Sequence, residues 1–383
     1  MKKTDYKTLR CLRAFVAAII ALAALWGVFS VVAPVVSPFL VKAAIFSAAL
    51  TMPEGAVTEL KDRFGPAVLE ATSEPAANPT QPPQSEAASE IPFVESPSAS
   101  VTPREIPQAS SAQPEIPKAN QGKILVENMA GKEGGLAFSV NRIWLRNDTK
   151  LTQQQIADVL KEPMALTLED TLEPQVLIYQ THATESFCPY DSDVYDKRYN
   201  WRTTDNNNNM VAVGAVMAQV LREQGIGVIQ DTGQHDYPSY DGSYANSYRS
   251  VKDYLARYPT IKVVLDLHRD AIEREGSVIV KPTVEFNGKK YAQLMIVSNC
   301  DDGSGLIPNW RENLRFAAAL CDKLEQNTPQ ITRPILFSYR KYNQQLSTGA
   351  LLLEFGSHAN TLEESKRTAI LVGEALSQIL LAS

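Results

Sequence analysis

The stretch "LIYQTHATES" (177–186) leads an apolar segment into His182 and, three residues later, Glu185. Its apolar part, "QVLIY" (175–179), is typical of a short strand in the middle of a sheet that is covered on both faces. In such sheets, functional groups gather beyond the carboxyl ends of the strands. The stretch therefore predicts a covered α/β sheet with two chemically active side chains at the end of one strand.

Strand-like and helix-like segments alternate on both sides of this stretch. Strands are predicted at 227–231, 262–268 and 349–357, a hairpin turn at Asn287-Gly288, and helices at 208–225, 246–258, 309–327 and 361–381. Thr361 and Glu364 form a capping-box pattern at the start of the last helix. This alternation predicts one domain over 122–383, an α/β fold in which a mixed sheet is covered by helices in three layers.

The beginning of the chain has a different composition. Residues 1–13 are basic, and residues 14–36 are an apolar run with no charge. A run of about 20 apolar residues is long enough to cross a bilayer, and the basic residues ahead of it predict a cytoplasmic N-terminus. We therefore expect a single-pass protein of the cell membrane whose C-terminal domain lies outside the cytoplasm. The alternative is a cleaved signal peptide, since Ala-rich sequence follows.

Residues 37–121 are predicted to be an extracytoplasmic linker. Their later part contains roughly half of the chain's 23 prolines, together with many Ser, Ala and Glu residues. Such a segment cannot bury enough apolar surface to offset its ordering entropy, so we expect a disordered stalk. The whole chain of 383 residues has a net charge of −6, and no basic excess indicates nucleic-acid binding.

Four side chains at three predicted strand ends suit a catalytic zinc site. His182 and Glu185 follow the first strand, His268 closes the strand 262–268, and Glu354 follows the apolar run "ALLL". Catalytic zinc usually has three protein ligands of these types and leaves its fourth position to water. We predict zinc ligands at His182, Glu185 and His268, with Glu354 as the general base and acid.

Each of these residues also has a purely structural interpretation. A His-x-x-Glu pair is common by chance, and His268 could belong to a salt-bridge cluster with Arg269 and Asp270. Glu354 is the most informative, because a carboxylate inside an apolar strand has no obvious partner. Cys188, close to the candidate site, could be read as a nucleophile or zinc ligand, but a small apolar filler is the commoner role.

The segments "LIYQTHATESF", "VLDLHRDA" and "GALLLEFGSHANTLEES", with the basic tail, single anchor and proline-rich stalk, resemble the stage II sporulation protein P family. That family comprises peptidoglycan hydrolases of endospore-forming bacteria and is similar in fold to zinc N-acetylmuramoyl-L-alanine amidases. The resemblance implies an amidase-like fold, Zn²⁺ at His182, Glu185 and His268, and a catalytic Glu354. Gln180 departs from the family, in which a histidine is expected.

The resemblance implies amidase and endopeptidase activity on peptidoglycan during engulfment, with stage II sporulation proteins D and M as partners.

The related amidases take their glutamate ligand from the start of the helix after the first strand, where this chain has Asp205 and asparagines. Two other functions stay open: a non-catalytic scaffold that binds cell wall, and a zinc carboxypeptidase. A carboxypeptidase would require an arginine in the cleft to bind a carboxylate, and sequence does not rank Arg249, Arg269 and Arg340.

Overall fold

The computed structural model describes residues 115–133 and 136–382. The predicted cytoplasmic tail, the transmembrane segment 14–36 and the linker as far as residue 114 lie outside the described residues. Among the residues that the structure does describe, no helix is both long enough and apolar enough to cross a membrane.

Thirteen strands and five α-helices make up the described part of the chain. The strands are β1 (Gln121–Glu127), β2 (Ala137–Val140), β3 (Ile143–Asp148), β4 (Val176–Tyr179), β5 (Val194–Asp196), β6 (Val228–Gln230), β7 (Val263–Asp270), β8 (Glu273–Arg274), β9 (Val278–Phe286), β10 (Lys289–Ala292), β11 (Leu294–Asn299), β12 (Ile335–Ser338) and β13 (Gly349–Ser357). The helices are α1 (Gln153–Val159), α2 (Met210–Glu223), α3 (Ser243–Arg257), α4 (Trp310–Asn327) and α5 (Leu362–Leu381).

The main sheet has eight strands in the order β2-β3-β12-β11-β13-β7-β4-β6. Strands β13, β7, β4 and β6 run parallel to one another, whereas β11 pairs with β13 in the antiparallel direction. The carboxyl ends of β4, β7 and β13 therefore meet at one edge of the sheet. The mixed sheet predicted from sequence is confirmed.

Helices cover both faces of this sheet, as the three-layer prediction requires. One face packs against α2, α4 and α5 through a large apolar core that includes Ile178, Leu265 and Leu353. The alternate residues of the same strands, such as Leu177 and Val264, pack against Val251 of α3 on the other face. This alternation follows from the two-residue period of a strand, and it sends His268 and Glu354 to the α3 face with Val264.

The predicted helix ends are also present. Thr361 and Glu364 form a capping box at the start of α5. After α2, Gly225 adopts a φ of +82°, and the next amide, that of Ile226, donates to the carbonyl of Leu221. Glycine tolerates this left-handed conformation, which is why the chain can leave the helix there.

A second sheet, which the sequence analysis did not predict, lies in the same part of the chain. Its order is β10-β9-β1-β5, with β8 also paired to β9. The hairpin prediction is confirmed: β9 and β10 pair in the antiparallel direction across Asn287 and Gly288, which have φ values of 51° and 71°. The parallel pairing of β1 with β9 joins segments about 150 residues apart, and local sequence patterns carry no signal for such a partner.

Candidate active site

The structure brings the four predicted residues to the same edge of the main sheet. His182 follows β4, His268 lies on β7, and Glu354 lies on β13 directly beside His268 in the parallel register. The rings of His182 and His268 are in edge contact, with their centroids 5.2 Å apart. Glu185 completes the group, because its Oε2 is 3.9 Å from Nδ1 of His268.

A tight turn places Glu185 next to His182. The amide of Glu185 donates to the carbonyl of His182, and the carbonyl of Glu185 accepts from the amide of Met210 at the start of α2. The segment after β4 is thus held against the first turn of α2. Asp205, the alternative ligand position suggested by the related amidases, is exposed, and its carboxylate accepts from Asn207 and Asn208.

Arg269 fixes the carboxylate of Glu185 from the other side. Its backbone amide donates to Oε2 of Glu185 at 3.1 Å, and its Nη1 lies 3.6 Å from Oε1. Burial would raise the pKa of Glu185, but the charges of Arg269, His268 and Arg202 lower it to about 2. Glu185 is therefore an ionised carboxylate over the whole physiological pH range.

Asp266, which sequence analysis missed, supports His268. Its Oδ1 lies 2.9 Å from Nε2 of His268, although the angle is poor for a directed hydrogen bond. The amide and hydroxyl of Thr181 also donate to Asp266. Burial would lower the pKa of His268, but Asp266, Glu185 and Glu354 raise it to about 10. A detectable signal existed in "VLDLH", where a charged residue precedes the histidine by two positions on the same strand face.

Glu354 is partly exposed, but one of its two carboxyl oxygens is buried. Its Oε2 is buried and has no hydrogen-bond partner among the described residues. Burial and the carboxylates of Asp270 and Glu185 raise the pKa of Glu354 to about 8, against the opposite effect of His268 and Arg333. A carboxyl group with such a pKa can both accept and return a proton near neutral pH.

Tyrosines from the segment before α3 and from its first turn cover the histidines. Tyr240 stacks on the ring of His182 with a centroid distance of 4.8 Å, and Tyr244 contacts the same ring edge-on at 5.5 Å. The ring of Tyr244 also lies parallel to His268, at 6.4 Å. These aromatic rings make His182 only 1% exposed. Their positions depend on how α3 docks on the sheet, and the sequence does not reveal that.

Another histidine, His235, and the alternative nucleophile Cys188 have other partners. His235 pairs with Asp231, and Cys188 is buried in an apolar cluster in which burial raises the pKa of its thiol. That environment suits the filler role and not a nucleophile. The buried Gln180 lies against α2, where a Cβ on Gly214 would be 2.5 Å from its Nε2. The family departure at Gln180 therefore lies where β4 ends against α2.

The group fits a zinc ion by donor type, although it is not a tightly assembled cluster. Within 115–133 and 136–382, no three His, Cys, Asp or Glu side chains are arranged to hold a metal ion as they stand. Nδ1 of His268 nevertheless faces the ionised Glu185, and Asp266 contacts the other ring nitrogen. In zinc sites, the ring nitrogen of a ligating histidine that does not bind the metal usually contacts a carboxylate or another acceptor.

Comparisons of the sequence with known proteins found one matching family and a related protein of that family. The family model described as Stage II sporulation protein P (SpoIIP) matches residues 82–377. The Stage II sporulation protein P of Bacillus subtilis (strain 168) is 30% identical over 238 residues, which cover 59% of this chain. The match spans 56% of that relative's length, little more than half of it.

Solved structures of amidases show weaker likeness. N-acetylmuramoyl-L-alanine amidase AmiC2 of Nostoc punctiforme is 13% identical, with a TM-score of 0.32 over 55% of this chain and 96% of that chain. The CwlD amidase from Clostridioides difficile, solved in complex with the GerS lipoprotein, is 11% identical, with a TM-score of 0.33 over 54% of this chain and 98% of that chain. Scores of this size do not establish a shared fold. The family model, in contrast, covers more than half of the sequence, and on that ground the chain belongs to the stage II sporulation protein P family.

Proposed function

We propose that this chain is a zinc-dependent hydrolase that cleaves amide bonds in peptidoglycan during endospore formation and engulfment. The observation that carries the proposal is the meeting of His182, Glu185 and His268 beside Glu354 at one edge of the sheet. Family membership supports the cell wall as substrate. The principal bond joins the lactyl group of N-acetylmuramic acid to the first L-alanine of the stem peptide, and cross-link cleavage is a second activity.

His182, Glu185 and His268 would hold the zinc ion. Bound zinc supplies Lewis-acid polarisation of the amide carbonyl and lowers the pKa of water. Asp266 forms a charge contact with the ring of His268, and Arg269 orients the carboxylate of Glu185. Both ligands are thereby held by partners that are themselves buried, which limits the reorganisation that binding requires.

Glu354 would move the proton. Its Oε2 accepts a proton from the attacking water and returns it to the nitrogen of the leaving amine, so that the amine departs neutral. No serine or cysteine nucleophile is needed, and the cysteines described in the structure are all buried. The same residue therefore serves as base and then as acid.

The cellular setting is part of the proposal. The segment 14–36 anchors the chain in the cell membrane, the linker 37–121 spans the space to the wall, and the domain 122–383 acts outside the cytoplasm. Stage II sporulation proteins D and M are the proposed partners in the engulfment machinery.

The decisive experiment measures metal and products together. We expect the purified full chain to contain one zinc ion and to release soluble amidase products from intact cell wall. His182→Ala and His268→Ala should each lower zinc affinity by orders of magnitude, because a neighbouring side chain rarely replaces a lost imidazole. Equal zinc content in the wild type and both variants would exclude these ligands.

The products distinguish the competing functions. Wall binding without stoichiometric zinc or product release would indicate the scaffold. Release of single C-terminal residues only would indicate the carboxypeptidase. Arg269, one of the three arginines considered for that role, already donates hydrogen bonds to the carbonyls of Ser186 and Trp201.

A further inference from the structure

Arg333 reaches the candidate active site from the segment just before β12. Its Nη2 lies 2.8 Å from Oδ2 of Asp270 at the end of β7. Strands β11 and β13 lie between β12 and β7 in the sheet. The ion pair therefore crosses the end of β13, the strand that carries Glu354.

The guanidinium group of Arg333 is buried but not fully hydrogen-bonded. The residue is 8% exposed, and its Nη1 is buried with no hydrogen-bond partner among the described residues. A guanidinium group has five N–H donors, and leaving a buried donor without an acceptor costs free energy. An acceptor that arrives with the substrate would remove that cost.

A carboxylate is the acceptor that suits this group best. Guanidinium groups bind carboxylates through two parallel hydrogen bonds, and burial strengthens such charge-assisted contacts. The neighbouring Arg269 is already used to hold Glu185 and two backbone carbonyls. Among the described residues at this edge, Arg333 is the arginine with a buried donor that lacks an acceptor.

The surface beside Glu354 leads toward Arg333. Met295 on β11 is the direct neighbour of Glu354 in the antiparallel register and is partly exposed. Arg333 precedes β12, the next strand beyond β11. Adjacent strands are about 4.8 Å apart, so the backbone at Arg333 lies roughly two strand spacings from that at Glu354, a distance that one or two peptide residues can span.

We propose that Arg333 binds a free carboxylate of the stem peptide, on the amine side of the scissile amide, and positions that amide against Glu354. The proposal rests on the proposed function. In peptidoglycan the lactyl carboxyl group is already consumed in the amide, so the free carboxylates are on the stem peptide. Arg333 is therefore a specificity-determining residue and takes no part in proton transfer.

The test uses two soluble muramyl peptides that differ only in whether the carboxylate of the second stem residue is free or amidated. Wild-type full-length chain should prefer the free form. Arg333→Gln should lower kcat/KM for the free form about 10- to 100-fold, mostly through KM, because hydrogen bonds between charged groups are worth about 1.5–3 kcal/mol. The amidated form should change less than about threefold. An equal loss on both peptides would overturn the proposal.

Two further variants separate binding from folding. Arg249→Gln changes an exposed arginine that bonds Asn246, and it should leave the preference intact. Arg333→Lys keeps a cation for Asp270 but cannot form the bidentate contact. It should therefore fold normally and still lose most of the preference; a retained preference would contradict the bidentate role.

Calorimetry on the Glu354→Gln background keeps this inference separate from the proposed function. Peptide binding does not require turnover, so loss of the carboxylate preference on adding Arg333→Gln supports the role of Arg333 even if the wild type cleaves nothing. In that event the proposed hydrolase fails and the binding site stands. Identical affinities for the two peptides in the Glu354→Gln chain would reject the binding site, whatever the cleavage assay shows.

Discussion

At the residue scale, the chemistry depends on one carboxyl group held between opposing charges. Glu354 lies close to the cationic Arg333 and to the carboxylates of Asp270 and Glu185. Its buried Oε2 has no protein partner within the described residues. A proton-transfer role explains the presence of this group, since a buried carboxyl group without a hydrogen-bond partner destabilises the fold.

Replacing Glu354 by Gln should abolish most turnover while retaining zinc and the fold. The side chain keeps its shape, but an amide cannot accept a proton from water, and general acid–base roles contribute about 10²–10⁴-fold in rate. Dye release from labelled cell wall, zinc content and a thermal melt on one sample test this. The exposed Glu285→Gln is the matched control. Near-normal turnover with normal zinc would remove Glu354 from the mechanism.

His358 gives the fold a predictable sensitivity to acid. Its ring is buried against Trp201, and burial, followed by the charge of Arg269, lowers the pKa of His358 to about 3. Because the pKa of His358 is lower in the folded than in the unfolded state, its full contribution to stability is present above the unfolded pKa of about 6.5. This contribution is lost as the pH falls from there toward 3. The loss is about 1.4 kcal/mol per pH unit.

His358→Phe should therefore flatten the decline in stability between pH 6.5 and pH 5. Phenylalanine keeps a ring against Trp201 but takes up no proton. Chemical denaturation of both chains at several pH values measures the difference. Parallel declines in wild type and variant would show that His358 does not control this range.

At the element scale, the start of α5 connects the two sheets. Thr361 caps the helix by accepting from the amide of Glu364, and Oε1 of Glu364 lies 2.8 Å from the buried Nζ of Lys281 on β9. Thr361→Ala should lower the free energy of unfolding by about 1–2 kcal/mol, because the cap and its partners are buried. Thr152→Ala removes the equivalent, exposed cap of α1 and should cost less. Equal losses on denaturation would contradict this account.

At the scale of the whole molecule, the prediction concerns the anchor. If 14–36 spans the membrane uncleaved, protease added to wall-free cells should release the C-terminal domain by cutting within 37–121 and leave a small membrane fragment. The linker is rich in proline and in small polar residues, and segments of this composition are preferred cleavage sites where they are exposed. A mature N-terminus beginning near residue 44 would indicate a cleaved signal peptide instead.

Local patterns in the sequence were sufficient for the elements near the site. Apolar runs of strand length, helical spacing and the Thr361–Glu364 box predicted β4, β7, β13 and the four helices α2 to α5, because each is specified by residues close together in the chain. Helix α1 was not predicted. The rule that carboxyl ends of parallel strands share an edge then placed His182, His268 and Glu354 together. Their zinc and catalytic roles stay predictions.

Only the tertiary structure decided which distant groups meet. It pairs β1 with β9, brings Glu185 to Arg269, and joins Arg333 to Asp270 across 63 positions of sequence. Periodicity and capping describe neighbours in the chain, whereas ion pairs and strand pairing depend on how packed elements align. A single sequence therefore predicts which side chains carry the chemistry, and the packing of its elements determines which of them hold and orient the others.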